Sequence, residues 1–377
     1  MDTMDAEAPT LYDLLGRHWT VGAGVTNTAF DPAGRCVAFA LADGAVAIAP
    51  VADVEPPQDR CRVELDMGRT TISPRQKPVP PLTKVIISDG PLRLAPIGTS
   101  EFVTSDHGRL LCISASGVTR AVSNNAAPVD FIAPVPGGGI LTASGGSILF
   151  YDSKGEVVWL QERIGGRASA IAASSDGLSF AIGADGRLFV RTFGPRPEPA
   201  TSFEVGPVSA LSWSPDGSWL AASVIEAGVV LVRLADAKII RIPTYPAAVA
   251  SLSWSADSRI LATSGAYRTI AWDVSRLDDH SEQPTNLATG RARFVLVEAV
   301  DFHPQGRLVA AGYADGLVVV AKVGRSDELV VRRPGGGAVH GLRWSANGQH
   351  LALGTTEGEA AIVTFPPHVF KQLPIRV

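Results

Sequence analysis

The side chains most often used in catalysis and metal binding are scattered through this sequence of 377 residues. None of its seven histidines has a cysteine, aspartate or glutamate at the spacing of a local metal site. Cys36, Cys61 and Cys112 form no CxxC pair, which argues against a disulfide framework and against a zinc site. The motifs GxSxG, HExxH and the P-loop are absent. We therefore predict a protein that is not an enzyme and has no metal and no cofactor.

Arginine and tyrosine recur between the apolar segments of the chain. Both residue types are frequent in interaction hot spots, because they combine a large amphipathic surface with directional hydrogen bonds. An acidic peptide or an acidic protein surface would complement the arginines, whereas pairing with acidic residues of the same chain is the alternative. The candidate partner-binding residues are Arg163, Arg167, Tyr245, Tyr267, Arg268, Arg291, Arg293, Tyr313, Arg332 and Arg333.

Composition restricts the class of protein further. A hydrophobic content of 46% with 19% charged residues is typical of a chain that folds around a large core. The net charge of −4 lacks the basic footprint of nucleic-acid binding. The acidic start MDTMDAEAPTLYDLL resembles no export signal, and no apolar run has the length of a membrane span. We expect a cytoplasmic protein without a nucleic-acid or membrane partner, and unpaired cysteines suit that reducing compartment.

The connections that carry the arginines separate copies of one sequence unit. Each copy has a tight turn preceded by an apolar residue, as in SWSPDGSWLAAS (212–223), and a second turn follows one strand length later. The apolar residue is Trp in three copies and Phe in two. The eight first turns are DPAG (31–34), GTSE (98–101), PGGG (136–139), SSDG (174–177), SPDG (214–217), SADS (255–258), HPQG (303–306) and SANG (345–348).

Each copy is predicted to form strand, turn, strand, turn and strand. Asp-Gly and related pairs accept the positive φ of turns that match the twist of β-strands. Strand segments such as GLVVVAKV (316–323) are nearly continuous apolar runs instead of alternating ones, which predicts sheets buried on both faces. Radial stacking buries both faces in a β-propeller, and a repeat of roughly 40 residues corresponds to one four-stranded antiparallel blade. The predicted fold class is therefore all-β.

The chain resembles WD40-repeat proteins, in particular diverged bacterial members, over nearly its whole length. The strand-end aromatic residue, the turn and the Asp-Gly hairpin carry this resemblance, and Trp272-Asp273 ends the third strand of copy six. That WD dipeptide occurs once, and the Gly-His expected before each first strand is missing. We therefore expect the buried hydrogen-bond network of the family to be broken, so that packing holds each blade together.

The resemblance implies a scaffold that binds a protein or peptide. In such a ring, the entries to the first strands and the turns between second and third strands lie on one face, where the candidate residues fall. A metal-handling GTPase is one specific partner that the resemblance suggests. Joint replacement by Ala is expected to abolish binding and to leave thermal stability near wild type for the set Arg291, Arg293, Arg332 and Arg333.

The alternative function is a small-ligand binder or enzyme that uses the central channel. The first strands contribute small residues to this channel, and convergent polar groups with a perturbed ionisable residue there would favour the alternative. The small residues expected in the channel include Ser209, Ala210, Ala250 and Ser251.

We predict a single propeller domain over residues 1–377, beginning with an N-terminal segment, 1–20. Eight copies favour eight blades, although copies two and three are weak enough to leave seven open. Two segments compete to provide the last outer strand, HVFKQLPIRV (368–377) and GRHWTVGA (16–23). Surface insertions are expected at residues 51–81 and 275–293, where the repeat is interrupted.

Overall fold

A computed structural model describes residues 8–64, 69–124, 128–161, 166–194, 201–243, 245–277 and 283–367. Within these ranges the chain forms eight four-stranded sheets and one two-stranded sheet, and every strand pair is antiparallel. The two helices described are short, and no helix among these residues is long and apolar enough to cross a membrane.

The elements follow one another along the chain with short connections. In order they are α1 (Leu11–Leu15), β1 (Gly16–Thr20), β2 (Val25–Phe30), β3 (Cys36–Leu41), β4 (Ala45–Pro50), α2 (Pro57–Arg60), β5 (Cys61–Glu64), β6 (Arg69–Ile72), β7 (Thr83–Ile86), β8 (Leu94–Ile97), β9 (Glu101–Asp106), β10 (Arg109–Ser114), β11 (Thr119–Asn124), β12 (Val129–Val135), β13 (Gly139–Ser144), β14 (Ser147–Tyr151), β15 (Val157–Gln161), β16 (Ala168–Ala173), β17 (Ser179–Ala184), β18 (Arg187–Thr192), β19 (Thr201–Glu204), β20 (Val208–Trp213), β21 (Trp219–Val224), β22 (Gly228–Arg233), β23 (Lys238–Ile242), β24 (Leu252–Trp254), β25 (Ile260–Thr263), β26 (Thr269–Asp273), β27 (Thr285–Thr289), β28 (Val297–Phe302), β29 (Leu308–Tyr313), β30 (Val318–Lys322), β31 (Glu328–Arg332), β32 (Val339–Trp344), β33 (His350–Thr355) and β34 (Glu359–Thr364).

These strands build an eight-bladed β-propeller, which confirms the predicted fold and settles the blade count. Blade 1 contains β2, β3, β4 and β7, and blades 2 to 7 each contain four consecutive strands between β8 and β31. Blade 8 contains β32, β33 and β34, with β1 as its outermost strand. The first strands of successive blades contact one another in order, and β32 of blade 8 contacts β2 of blade 1, so the ring is closed.

Neighbouring blades bury the middle strands on both faces. Every residue of β21 is buried, although a polar face would be expected in a sheet exposed on one side. The core consists of layers between blades, and one such layer joins Val37 and Phe39 of blade 1 to Ala352 and Ile362 of blade 8. The continuous apolar pattern of the strands follows from this double coverage.

The repeated turn tetrapeptide forms a small hydrogen-bonded unit. Ser214 Oγ donates to Asp216 Oδ1 at 2.6 Å and accepts from the backbone N–H of Trp219 at 2.9 Å. Neighbouring first turns also contact each other on one face of the ring, here called the lower face. Such contacts join Ala33 N to Thr99 O, Gly98 N to Gly138 O, Asp216 N to Ser258 Oγ and His303 Nε2 to Gly348 O.

The N-terminal segment closes the ring. Strand β1 pairs antiparallel with β34, from Gly16 opposite Val363 to Thr20 opposite Glu359. Of the two segments considered for this role, residues 16–23 therefore supply the closing strand. The competing segment, 368–377, lies outside the described residues.

Both predicted insertions contain regular secondary structure. Residues 51–81 contain α2 and the hairpin of β5 and β6, and they pack against the closing strand. The predicted insertion at 275–293 is wrong in its extent, because β27 lies inside it and forms the outermost strand of blade 6. The polar character of Thr285–Thr289 hid this strand, since the outer edge of a blade faces solvent.

Candidate functional site

The predicted partner-binding residues map to the face opposite the first turns, here called the upper face. It is formed by the connections between blades and by the turns between second and third strands. Arg163 lies outside the described residues. The remaining candidates divide into buried, locally paired and exposed side chains, and only part of the predicted set is therefore available to a partner.

Two of the predicted tyrosines take part in the packing of blades 6 and 7, Tyr313 as a buried residue and Tyr245 as a partly buried one. Tyr313 has no exposed surface. The hydroxyl of Tyr245 accepts a hydrogen bond from Trp272 Nε1 at 2.6 Å and lies 2.8 Å from Thr263 Oγ1. Burial raises the pKa of Tyr245 to about 12. A polar network thus links the connection, second strand and third strand of blade 6. The expected partner role of Tyr313 is corrected to a structural one, whereas Tyr245 is partly buried and its hydroxyl is engaged within this network.

Arg332 is buried between blades 7 and 8 and is also corrected to a structural residue. Its Nη1 donates to the carbonyls of Gly316 at 2.7 Å and Gly335 at 2.6 Å. Its Nη2 pairs with Glu359, which also accepts a hydrogen bond from the hydroxyl of Tyr12 in α1. Burial and the adjacent carboxylate raise the pKa of Tyr12. Because Arg332 is buried and paired in this way, we expect its replacement to lower stability, so the joint replacement of Arg291, Arg293, Arg332 and Arg333 is not suited to test binding alone.

Arg293 is held from below by a buried carboxylate. Its two terminal nitrogens contact Glu328, which is 2% exposed, and Nη1 lies 3.1 Å from Glu328 Oε2 and 3.3 Å from the hydroxyl of Tyr313. The guanidinium lies over the Tyr313 ring, 5.1 Å from its centroid. Glu328 Oε2 also accepts the backbone N–H of Arg291 at 3.0 Å. The connection between blades 6 and 7 is therefore anchored on the acid beneath it.

Phe294 projects from this anchored connection and is fully exposed. The backbone N–H of Arg293 donates to Tyr267 O at 2.8 Å, which places Phe294 beside a tyrosine that is itself 47% exposed. Arg268 Nη2 donates to Gly290 O at 3.0 Å and joins the same two segments. Five residues thus form one surface, here called the upper patch: Tyr267, Arg268, Arg291, Arg293 and Phe294.

Sequence reasoning missed Phe294, although a signal was present. It stands in RARFVL (291–296), where an aromatic residue follows two arginines before the apolar run of β28 begins. The candidates Arg167 and Arg333 lie outside the upper patch. Arg167 pairs with Asp130 of blade 3, and Arg333 Nη2 donates to Ala8 O at 2.7 Å. Local pairing, the alternative weighed from the sequence, describes Arg167.

The central channel shows features that bear on the alternative function. Its lower half holds a cavity of about 730 Å³, and Arg343 is the charged residue among its lining side chains. Arg343 Nη1 lies 3.2 Å from Asp301 Oδ1, and burial raises the pKa of that carboxyl. None of the four small residues expected in the channel lines this cavity; they are Ser209, Ala210, Ala250 and Ser251.

Metal and thiol chemistry find little support in the part of the chain that the structure describes. No group of three or more His, Cys, Asp or Glu side chains there is placed to hold a metal ion. All three cysteines are free. Burial raises the pKa of the Cys112 thiol to about 11 and also raises those of Cys36 and Cys61, so the reactive thiolate is disfavoured.

Comparison with known proteins supports the β-propeller fold and finds similarity to WD40 repeats in two stretches of the chain. The family model described as WD domain, G-beta repeat matches residues 198–224 and 282–320. The crystal structure of the C-terminal WD40 domain of Sif2 is similar, with a TM-score of 0.63, 13% sequence identity, and coverage of 93% of this chain and 98% of that chain. The search of the curated proteins finds no match. At this identity the structural likeness concerns the fold alone, and 1750 matching chains make it a fold shared by many proteins.

Proposed function

We propose that this protein is a non-catalytic scaffold that binds a protein or peptide on the upper patch. Propellers of the WD40 type generally mediate protein–protein interaction. The observation that carries the proposal is the full exposure of Phe294 beside Tyr267 on an anchored connection. Exposed aromatic side chains on a rigid frame are typical interaction anchors, because they bury a large area at little cost in conformational entropy.

The charge of the upper patch indicates an acidic partner. Three of its five residues are arginines, whereas Glu328, the acid beneath them, is already engaged by Arg293 and by the backbone of Arg291. An acidic segment with one apolar side chain would pair with Arg291 and pack on Phe294. A metal-handling GTPase would fit this proposal if it presents such a segment.

This proposal can be tested by selecting binders from a displayed library of random peptides. The selected peptides are then synthesised, and their binding is measured by fluorescence anisotropy. We expect acidic peptides with an aromatic or aliphatic residue to be enriched. Phe294→Ala and Arg291→Ala should each weaken their binding by about tenfold or more, as expected for hot-spot residues. Both variants should melt near the wild-type temperature, because neither side chain packs in the core.

Arg333→Ala is the matched control, since this exposed arginine lies outside the upper patch. It should leave peptide binding unchanged. Arg332 is left intact in these experiments because it is part of the interior. The proposal fails if no acidic peptide is enriched, or if the winners bind Phe294→Ala and Arg291→Ala as tightly as they bind the wild type.

A further inference from the structure

The cavity in the lower half of the channel has the size of a small-molecule site. Its volume of about 730 Å³ lies within the range of roughly 300–1,000 Å³ that ligand pockets occupy. The first strands and first turns of blades 1 to 5 line it, together with blade 8. Its wall combines apolar side chains, among them Ile132, Ile171 and Leu211, with the polar side chains of Asn27, Thr28, Ser174, Ser175 and Ser212.

Arg343 is the single charged side chain among the lining residues of this cavity. It lies on β32, and its side chain is 49% exposed. Nη1 is directed to Asp301, whose other oxygen accepts the backbone N–H of Trp344 at 2.7 Å. Ser253 Oγ donates to Asp301 at 3.2 Å from blade 6. The carboxylate is thus fixed by three donors from two neighbouring blades, and it orients the arginine.

One edge of the guanidinium is left for a ligand. Arg343 Nε and Nη2 make no hydrogen bond or ion pair with any residue in the described ranges. These two nitrogens form the side-on fork through which arginine binds a carboxylate with two parallel hydrogen bonds. A second negative charge on the ligand would find no second cation on this wall and would have to be desolvated without compensation.

We propose that the lower channel binds a small organic monoanion, a carboxylate with an apolar body. Its carboxylate binds the free edge of Arg343, and its apolar body packs against Ile132, Ile171 and Leu211. This site is independent of the upper patch, because it opens between the first turns at the opposite end of the channel. Its failure and the failure of the scaffold proposal are therefore separate results.

Isothermal titration calorimetry with three probes of equal chain length tests this inference on the full-length protein. The probes are decanoate, decanol and decyltrimethylammonium, which share the apolar body and differ in charge. We expect decanoate to bind at least tenfold more tightly than decanol, and the cation not to bind. Arg343→Gln should remove this preference, and Arg343→Lys, which keeps the charge without the fork, should retain part of it.

Arg307→Gln is the matched control, because Arg307 is similarly exposed and lies outside the cavity. It should bind decanoate as the wild type does. Ala172→Phe fills the cavity without altering its charge and should abolish the binding of decanoate. If Arg343→Gln does not fold, Ala172→Phe tests whether decanoate binds in this cavity. The inference is overturned if decanoate gives no heat of binding, if decanol binds equally well, or if the folded Arg343→Gln or Ala172→Phe variant binds decanoate as the wild type does.

Discussion

Arginine residues that look equivalent in the sequence differ in function according to the acid placed near them. Arg332 pairs with Glu359, and Arg293 pairs with Glu328, although the two members of each pair are 27 and 35 residues apart in the chain. Arg332 is buried by this pairing, whereas Arg293 keeps part of its surface. The blade register creates these pairs, and so a list of loop arginines cannot separate structural from binding residues.

Protonation of one partly buried histidine, His350, should limit stability in acid. His350 Nδ1 lies 2.9 Å from Thr364 Oγ1, and burial, aided by the charge of Arg17, lowers the pKa of His350 from 6.5 to about 4. The folded state thus prefers neutral imidazole. Its contribution is complete above about pH 6.5 and is lost as the pH falls towards 4, by up to about 3 kcal/mol at about 1.4 kcal/mol per pKa unit.

His350→Gln should remove this part of the pH dependence of the free energy of unfolding. Urea titrations at a series of pH values from about 7 to 4 measure it. His340→Gln is the control, because His340 is exposed on β32 and should leave the dependence unchanged. An identical pH dependence in wild type and His350→Gln would contradict the assignment.

The insertion at 51–81 covers the element that closes the ring. Arg17 of β1 donates to the carbonyls of Pro50, Val51 and Ala52 at 2.7–2.9 Å. Trp19 Nε1 donates to Pro80 O at 2.9 Å. These contacts join the closing strand to blade 1, in addition to its ladder with β34. The insertion therefore stabilises the closure of the ring. The proline-rich sequence of the insertion gives no sign of this role.

Arg60 should make a large contribution to this closure. It is buried, and its guanidinium donates to Ser73 O at 2.6 Å and to Leu14 O at 2.7 Å. Arg60→Ala leaves both carbonyls without their donor and should lower the free energy of unfolding by about 2–3 kcal/mol. Arg62→Ala, at an exposed position, should change it by less than about 0.5 kcal/mol. Equal urea midpoints for the two variants would refute this role.

The whole ring depends on contact between the two ends of the described chain. Without β1, the outer edge of β34 would expose unpaired backbone groups, and the layer around Tyr12 and Leu15 in α1 would be lost. Because each blade is covered by its neighbours, damage at this junction should spread beyond blade 8.

Removal of residues 1–20 should therefore lower the melting temperature strongly and promote aggregation, as measured by circular dichroism and size-exclusion chromatography. Returning residues 8–20 through a flexible linker at the C-terminus should restore folding, since Gly16 pairs with Val363 at the end of β34. A truncated protein that melts like the wild type would show that β1 is dispensable.

The sequence by itself determined the blade. Its apolar runs, its Ser-Asp turns and its spacing specify strands, turns and double burial, and eight copies predicted eight blades, because these signals are local. The sequence could have identified Phe294 as a candidate binding residue. It could not have predicted the exposure of Phe294, because burial depends on neighbours from other blades.

Tertiary structure alone decided which strand closes the ring, which arginines are buried and what lines the channel. Each of these depends on residues far apart in the chain. β1 pairs with β34 from the other end of the described chain, Arg332 with Glu359 across a blade boundary, and Arg343 with Asp301 across the channel wall. Local sequence specifies a blade through short-range backbone preferences, whereas closure of the ring creates the long-range contacts that distinguish one blade from another.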